Sequence, residues 1–112
     1  MEILFKTEGL GKDLTDEKRR IRKYGLEQAR LLRLRLDQFR AADTLADIAR
    51  LPGPRCHEYA LNRKGQLSVD LRHPYRLIFE SADDPVPRKL DGGLDWSGVR
   101  AVRILEIYDP HG

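Results

Sequence analysis

The hydrophobic pattern of this chain changes period once, at Leu51-Pro52-Gly53-Pro54. Before that point apolar residues recur every three or four positions; after it they recur every second position. Two prolines around a glycine end a helix firmly, so the boundary is sharp. One short strand, then helices, then a run of strands predicts an α+β fold with the helices segregated from the sheet. At 112 residues the chain is expected to be one domain over residues 1–112. A domain of that size buries roughly two thirds of its unfolded surface.

The elements follow from local signals. Residues 1–5 read as a strand with Ile3 and Phe5 on one face, and residues 8–14 as one or two helical turns weakened by Gly9 and Gly11. Thr15 or Asp16 is a suitable N-cap for a second helix, and Gly25 stops it. Residues 27–42 carry the strongest helical pattern, with Ala29, Leu32, Leu36 and Phe39 on one face and Leu31 and Leu34 at or near its margins. A short helix over 44–50 is capped by Asp43 or Thr44, with Leu45 and Ile48 inward. Beyond the boundary, 55–61 is strand-like. Residues 66–71 alternate with Leu67, Val69 and Leu71 on one face. Residues 75–80 place Tyr75, Leu77 and Phe79 together, opposite Arg76, Ile78 and Glu80. Residues 81–98 form a long loop pinned by Trp96, and 99–108 a final strand.

Charge is unevenly spread. The net charge is +3, yet nine Lys and Arg lie between Lys18 and Arg40 against Glu27 and Asp37. Such a basic stretch suits nucleic acid or an acidic protein, or is simply a solvated helix surface; long arginine stems also cover apolar surface. No apolar run approaches the ~18 residues of a membrane helix. The start, Met1-Glu2-Ile3-Leu4-Phe5, has an acid where a secretory leader carries positive charge, so no leader is expected. The lone Cys56 fits a reducing compartment, hence a cytoplasmic protein, and reads as a buried inert thiol.

Three chemistries lack their signatures. The three His are scattered around one Cys, so no zinc spacing exists and no metal or cofactor is expected. Gly9-Leu10-Gly11-Lys12 lacks the phosphate-loop spacing, and no Ser sits in a nucleophile elbow. What remains is His57, Arg63, Lys64, Arg76, Asp109 and His111, with Tyr59 and Tyr108 close in sequence. Cleaving RNA without a metal needs a base for the 2′-OH, an acid for the leaving 5′-oxygen, and cations for the charge that builds on phosphorus. Histidine serves as base or acid near neutral pH, and Arg and Lys supply the cations. Each residue also has a plain structural reading. His57 suits a hydrogen bond in a strand, His73 a turn before Pro74, His111 a frayed tail, and Arg63 and Lys64 a solvated turn. Arg76, mid-strand between apolar neighbours, needs a counter-charge (Glu58, Asp70 or Glu80) or a ligand.

Leu51-Pro52-Gly53, His57, Arg63-Lys64-Gly65-Gln66, Tyr75-Arg76-Leu77-Ile78-Phe79 and Ile107-Tyr108-Asp109-Pro110-His111 occur in one order along nearly the whole chain. In that order they resemble the RelE/ParE superfamily of type II toxin–antitoxin toxins, and within it the HigB-like plasmid-maintenance killer proteins. The resemblance implies a compact, antiparallel-rich sheet with an N-terminal helical hairpin packed on it. It implies a ribosome-dependent mRNA endoribonuclease, neutralised by a helix-turn-helix, HigA-like antitoxin whose complex binds operator DNA. It makes His57 and His111 the acid/base pair and Asp109 the carboxylate beside the terminal His. Arg76 becomes the contact to the scissile phosphate, and Arg63 and Lys64 holders of RNA backbone. The chain has Pro110 where HigB-like toxins carry an aromatic, leaving Tyr108 or Tyr59 to stack on a base, and Glu58-Tyr59-Ala60 lacks a basic residue of active relatives. The resemblance therefore also admits a ParE-like gyrase poison, or a module that only binds its antitoxin.

Overall fold

A computed structural model describes residues 1–110. The chain forms β1 (Glu2–Phe5), then helices α1 (Glu8–Thr15), α2 (Glu17–Tyr24), α3 (Leu26–Ala41) and α4 (Leu45–Ala49). Strands β2 (His57–Glu58), β3 (Gln66–Asp70), β4 (Arg76–Ser81) and β5 (Ala101–Tyr108) follow. Two 3₁₀ turns, Leu61–Arg63 and Trp96–Gly98, lie in the connections. The strands make one five-stranded mixed sheet in the order β1-β5-β4-β3-β2, parallel between β1 and β5 and antiparallel elsewhere. This is the α+β arrangement that the change of period predicts. Among the described residues no helix is long and apolar enough to cross a membrane.

Helix starts and stops follow local chemistry. Thr7 caps α1 by accepting from the Leu10 N–H at 3.1 Å, and Asp16 caps α2 by accepting from the Arg19 N–H at 3.0 Å. Gly25, at φ 82°, takes the left-handed turn between α2 and α3 that other residues resist. The Asp47 carboxylate reaches back to the Asp43 and Thr44 N–H groups at the start of α4. Gly11 lets α1 lie close on β1, since a Cβ there would meet the Phe5 ring at 3.1 Å.

The core lies between the helices and one face of the sheet. Ala29, Leu32, Leu36 and Phe39 of α3 are buried, as the periodicity predicts, together with Leu67, Val69, Leu77, Phe79, Val102 and Ile104. Phe39 meets Phe79 edge-on with centroids 5.0 Å apart. Leu34 stands exposed on the far side of α3.

The arginine-rich helices yield a different finding. Arg35 is buried, its Nε donating to the Asp70 carbonyl at 2.6 Å and its two terminal nitrogens to Gly53 carbonyl and Gln38 Oε1, each at 3.1 Å. Gln28, also buried, accepts from the Arg72 N–H at 2.9 Å. Helix α3 therefore clamps the Pro-Gly-Pro turn and the end of β3, fixing the sheet end that carries Arg76.

Three expectations need correction. The strand expected over residues 55–61 is cut to two residues, because Arg55 and Leu61 take left-handed φ of 45° and 56° and break the extended run on either side. Tyr75 lies outside β4 and is exposed, so it does not join Leu77 and Phe79 in the core. Strand β5 starts at Ala101 and is irregular. Ile78 pairs with Glu106 but Phe79 with Ile104, which leaves Leu105 as an extra residue.

Candidate functional site

The bulge in β5 builds the site, because an inserted residue reverses which side chains face outward. Val102 and Ile104 face the core, yet beyond Leu105 it is Ile107 that sits opposite Leu77 on the core side. Glu106 and Tyr108 thereby join Arg103 on the outer face. Cross-strand pairs on that face form rows: Asp70, Arg76 and Tyr108; then His57, Ser68, Ile78 and Glu106; then Gln66, Glu80 and Arg103.

The outer face carries its own cover. Ile78 and Ser68 point away from the main core yet are fully buried. From the Leu61–Arg63 turn, Arg63 reaches across this face. Arg63 donates to Gln66 Oε1 on β3 at 2.9 Å and pairs with Glu106 on β5 at 3.6 Å, so its guanidinium crosses over β4 between them. It stacks on the Tyr108 ring at 4.4 Å and lies 6.0 Å from that of Tyr59. The Ser68 hydroxyl, beside His57 in the register, has no hydrogen-bond partner among the described residues. Arg63 is thus held as part of the wall and not as a solvated turn residue. Lys64 faces elsewhere, into a separate 730 Å³ cleft with Glu58, Glu80 and Asp83 at the opposite end of the sheet.

Arg76 is the centre of the remaining constellation. It lines a cleft of 470 Å³ with Arg55, Cys56, His57 and Asp70. It also lines an adjoining one of 230 Å³ that His73, Tyr75 and Pro110 help to close. Of the counter-charges the sequence offers it, only Asp70 shares its clefts; Glu58 lies on the helical side of β2 and Glu80 toward the other end of β4. Glu58 accepts from Trp96 Nε1 at 2.7 Å, Glu80 pairs with Arg103 at 2.9 Å, and Asp70 pairs with Arg55 at 3.6 Å. No ion pair joins Arg76 to another described residue, although Asp70 is its cross-strand neighbour. His57 is exposed, its ring edge-on to Tyr59 at 5.0 Å, and it makes no side-chain hydrogen bond to another described residue. Cys56 shares the cleft but is poorly suited to attack: burial first, and Glu58 second, push its thiol up to about 12.

The structure therefore brings together His57, Arg76 and Tyr108, with Arg63 on the same face and Lys64 apart. Asp109 follows Tyr108 directly at the end of β5 and is half-buried. His111 lies outside the described residues. No residue of the 81–98 loop lines either cleft around Arg76; Trp96 ties that loop to Glu58, on the helical side of β2. Sequence reasoning missed Arg55, a second guanidinium in the cleft, and Glu106, the partner of Arg63. Among the described residues no group of three or more His, Cys, Asp or Glu is placed to hold a metal ion. The cleft offers two guanidinium groups and an imidazole around the Asp70 carboxylate, with Tyr108 next to Arg76 in the register; guanidinium groups can hold a phosphodiester, and an aromatic ring can stack on a base. No protein-family model and no curated protein matches this chain.

Proposed function

We propose that the chain is the toxin of a type II toxin–antitoxin pair, a HigB-like member of the RelE/ParE superfamily that cuts mRNA on the ribosome. The observation that carries this reading is Arg76, a strand cation sharing a cleft with Arg55 and His57, with no ion pair to another described residue, while its cross-strand neighbour Asp70 pairs with Arg55 at 3.6 Å. A cation so left is set for an anion from outside, and the cleft beside it is open enough for a nucleic-acid backbone. In the RelE-like arrangement proposed here, α2 and α3 are the helical hairpin and the outer face of the sheet is the RNA-facing side.

The reaction is transfer of the phosphodiester to its own 2′-oxygen. His57 takes the 2′-OH proton while the 2′-oxygen bonds to phosphorus and the bond to the 5′-oxygen breaks. His111, two residues after Asp109 in the sequence, returns a proton to that leaving oxygen. Arg76 and Arg55 stabilise the added negative charge on the phosphoryl oxygens. Tyr108, backed by Arg63, offers a ring for base stacking. The products are a 2′,3′-cyclic phosphate and a 5′-OH. The partners are mRNA on the ribosome and a helix-turn-helix, HigA-like antitoxin that carries the complex to operator DNA, and the site of action is the cytoplasm. Expression of the chain alone is expected to arrest growth, and a His57→Ala/His111→Ala variant to be harmless; equal toxicity of the two sinks the nuclease reading. Pro110 at the wall of the Arg76 cleft favours the second reading, a ParE-like gyrase poison. Its signature is loss of supercoiling activity while mRNA stays intact.

A further inference from the structure

The sheet ends on β1, and the free edge of that strand is complementary to itself. The Glu2 N–H donates to the Arg100 carbonyl at 3.1 Å and the Lys6 N–H to the Ile104 carbonyl at 2.9 Å, while Leu4 is in register with Arg103. In a parallel ladder alternate residues turn their main-chain groups to the neighbour. Glu2, Leu4 and Lys6 spend theirs on β5, so Ile3 and Phe5 present theirs at the open edge. Side chains divide the other way: Ile3 and Phe5 pack on the core, and Glu2, Leu4 and Lys6 stand on the outer face. Glu2 and Lys6 are exposed, and neither makes an ion pair among the described residues. A groove of 460 Å³ runs beside this edge, lined by Leu4, Phe5, Thr7, Gly11, Lys12 and Thr15.

We propose that this edge pairs antiparallel with β1 of a second copy of the chain, about a two-fold axis through Leu4. Two independent requirements select the same register. Main-chain pairing needs the residues with free groups opposite each other, and Ile3 opposite Phe5 of the second copy does this on both sides of the axis. The same register sets Glu2 opposite Lys6 of the second copy, twice, and Leu4 against Leu4. These are the non-hydrogen-bonded positions, where side chains approach closest. Sliding the strands by two residues either way loses both ion pairs, and parallel pairing in register sets Glu2 beside Glu2. A lone edge lysine repels a second strand; a glutamate four residues earlier on the same face turns that repulsion into attraction for this one partner. The axis stands perpendicular to the sheet, so both outer faces, with both Arg76 clefts, lie on one side of a continuous sheet. Five residues from each copy, Glu2 to Lys6, make a small contact, well below the roughly 1,600 Å² of a standard interface, so the dimer is weak and depends on concentration. This inference is independent of the nuclease reading.

Sedimentation equilibrium over about 5–500 µM protein at low salt is expected to show a monomer–dimer equilibrium. Glu2→Lys alone and Lys6→Glu alone should each weaken it about tenfold, since both symmetry-related pairs change at once. An equimolar mixture of the two single variants should restore association, as should the Glu2→Lys/Lys6→Glu double variant, with unchanged circular dichroism throughout. A monomer at every concentration overturns the proposal. So does a dimer indifferent to the single substitutions, or a mixture that stays monomeric.

Discussion

Replacing Arg35 with methionine tests how the helical layer holds the candidate site. Methionine keeps most of the apolar stem and removes the guanidinium, so the loss is chiefly that of hydrogen bonds. Arg35 donates to the carbonyls of Asp70 and Gly53, on two segments that frame the Arg76 cleft, and to Gln38. Burial lowers the pKa of the guanidinium from its ordinary value and the Asp70 charge partly offsets this, so the group tolerates its position because its donors are satisfied. A hydrogen bond from a charged donor contributes about 1.5–3 kcal/mol, and removing the donor strands its acceptors. Counting the two main-chain acceptors, and allowing for water reaching them in the variant, the loss is about 3 kcal/mol. At about 4 °C per kcal/mol for a domain of this length, the melting temperature falls by roughly 12 °C. Urea unfolding of wild type, Arg35→Met, Arg35→Lys and Arg40→Met measures it. Lysine should rescue little, because one ammonium cannot span acceptors on two segments. Arg40, exposed and paired with Asp37 at 3.3 Å, should change stability by no more than about 0.5 kcal/mol. An Arg35→Met protein within about 1 kcal/mol of wild type would refute the reasoning, and would mean that an apolar side chain fills the site as well as the ion does.

Acid stability should depend on Asp13. Hydrogen bonds from Lys23 and then Arg19 hold its carboxyl below the ordinary value. A lowered folded value means the contribution is present above the unfolded carboxylate range and is lost as pH falls through the folded one. Asp13→Asn should therefore flatten the fall in melting temperature as pH drops below the ordinary carboxylate range, and an unchanged profile contradicts it. Cys56, with its thiol pushed up to about 12, should react with a disulfide reagent at pH 8 at least roughly a hundredfold more slowly in the folded protein than in urea; equal rates would show an exposed, activated thiol.

The helical half was legible because helix signals are local. Asp16, Gly25 and Thr44 act where capping chemistry puts them, and the face of Ala29, Leu32, Leu36 and Phe39 is the buried one. The same local view hid Arg35, whose partners lie 18 and 35 residues away. The strand order across the sheet was also open, since β1 returns to pair with β5 from the other end of the chain. In the site, Arg76 was legible as a cation needing a partner, and Trp96 as the pin of the long loop. Arg63 was not: its role depends on Glu106 and Tyr108, which reach the outer face only because Leu105 bulges out of β5. Strict alternation over 99–108 assigns those two residues to the same face as Val102 and Ile104, and one inserted residue reverses that.

The central claim is that Arg76 receives the phosphate of an RNA substrate. Its most direct test is cleavage of a 5′-labelled mRNA programmed into purified 70S ribosomes, comparing wild type with Arg76→Ala under single-turnover conditions. Ribosome-dependent cuts ending in a 2′,3′-cyclic phosphate are expected, with the rate reduced by about a hundredfold or more in the variant. No cleavage by the wild-type chain, or equal rates from both proteins, would contradict it.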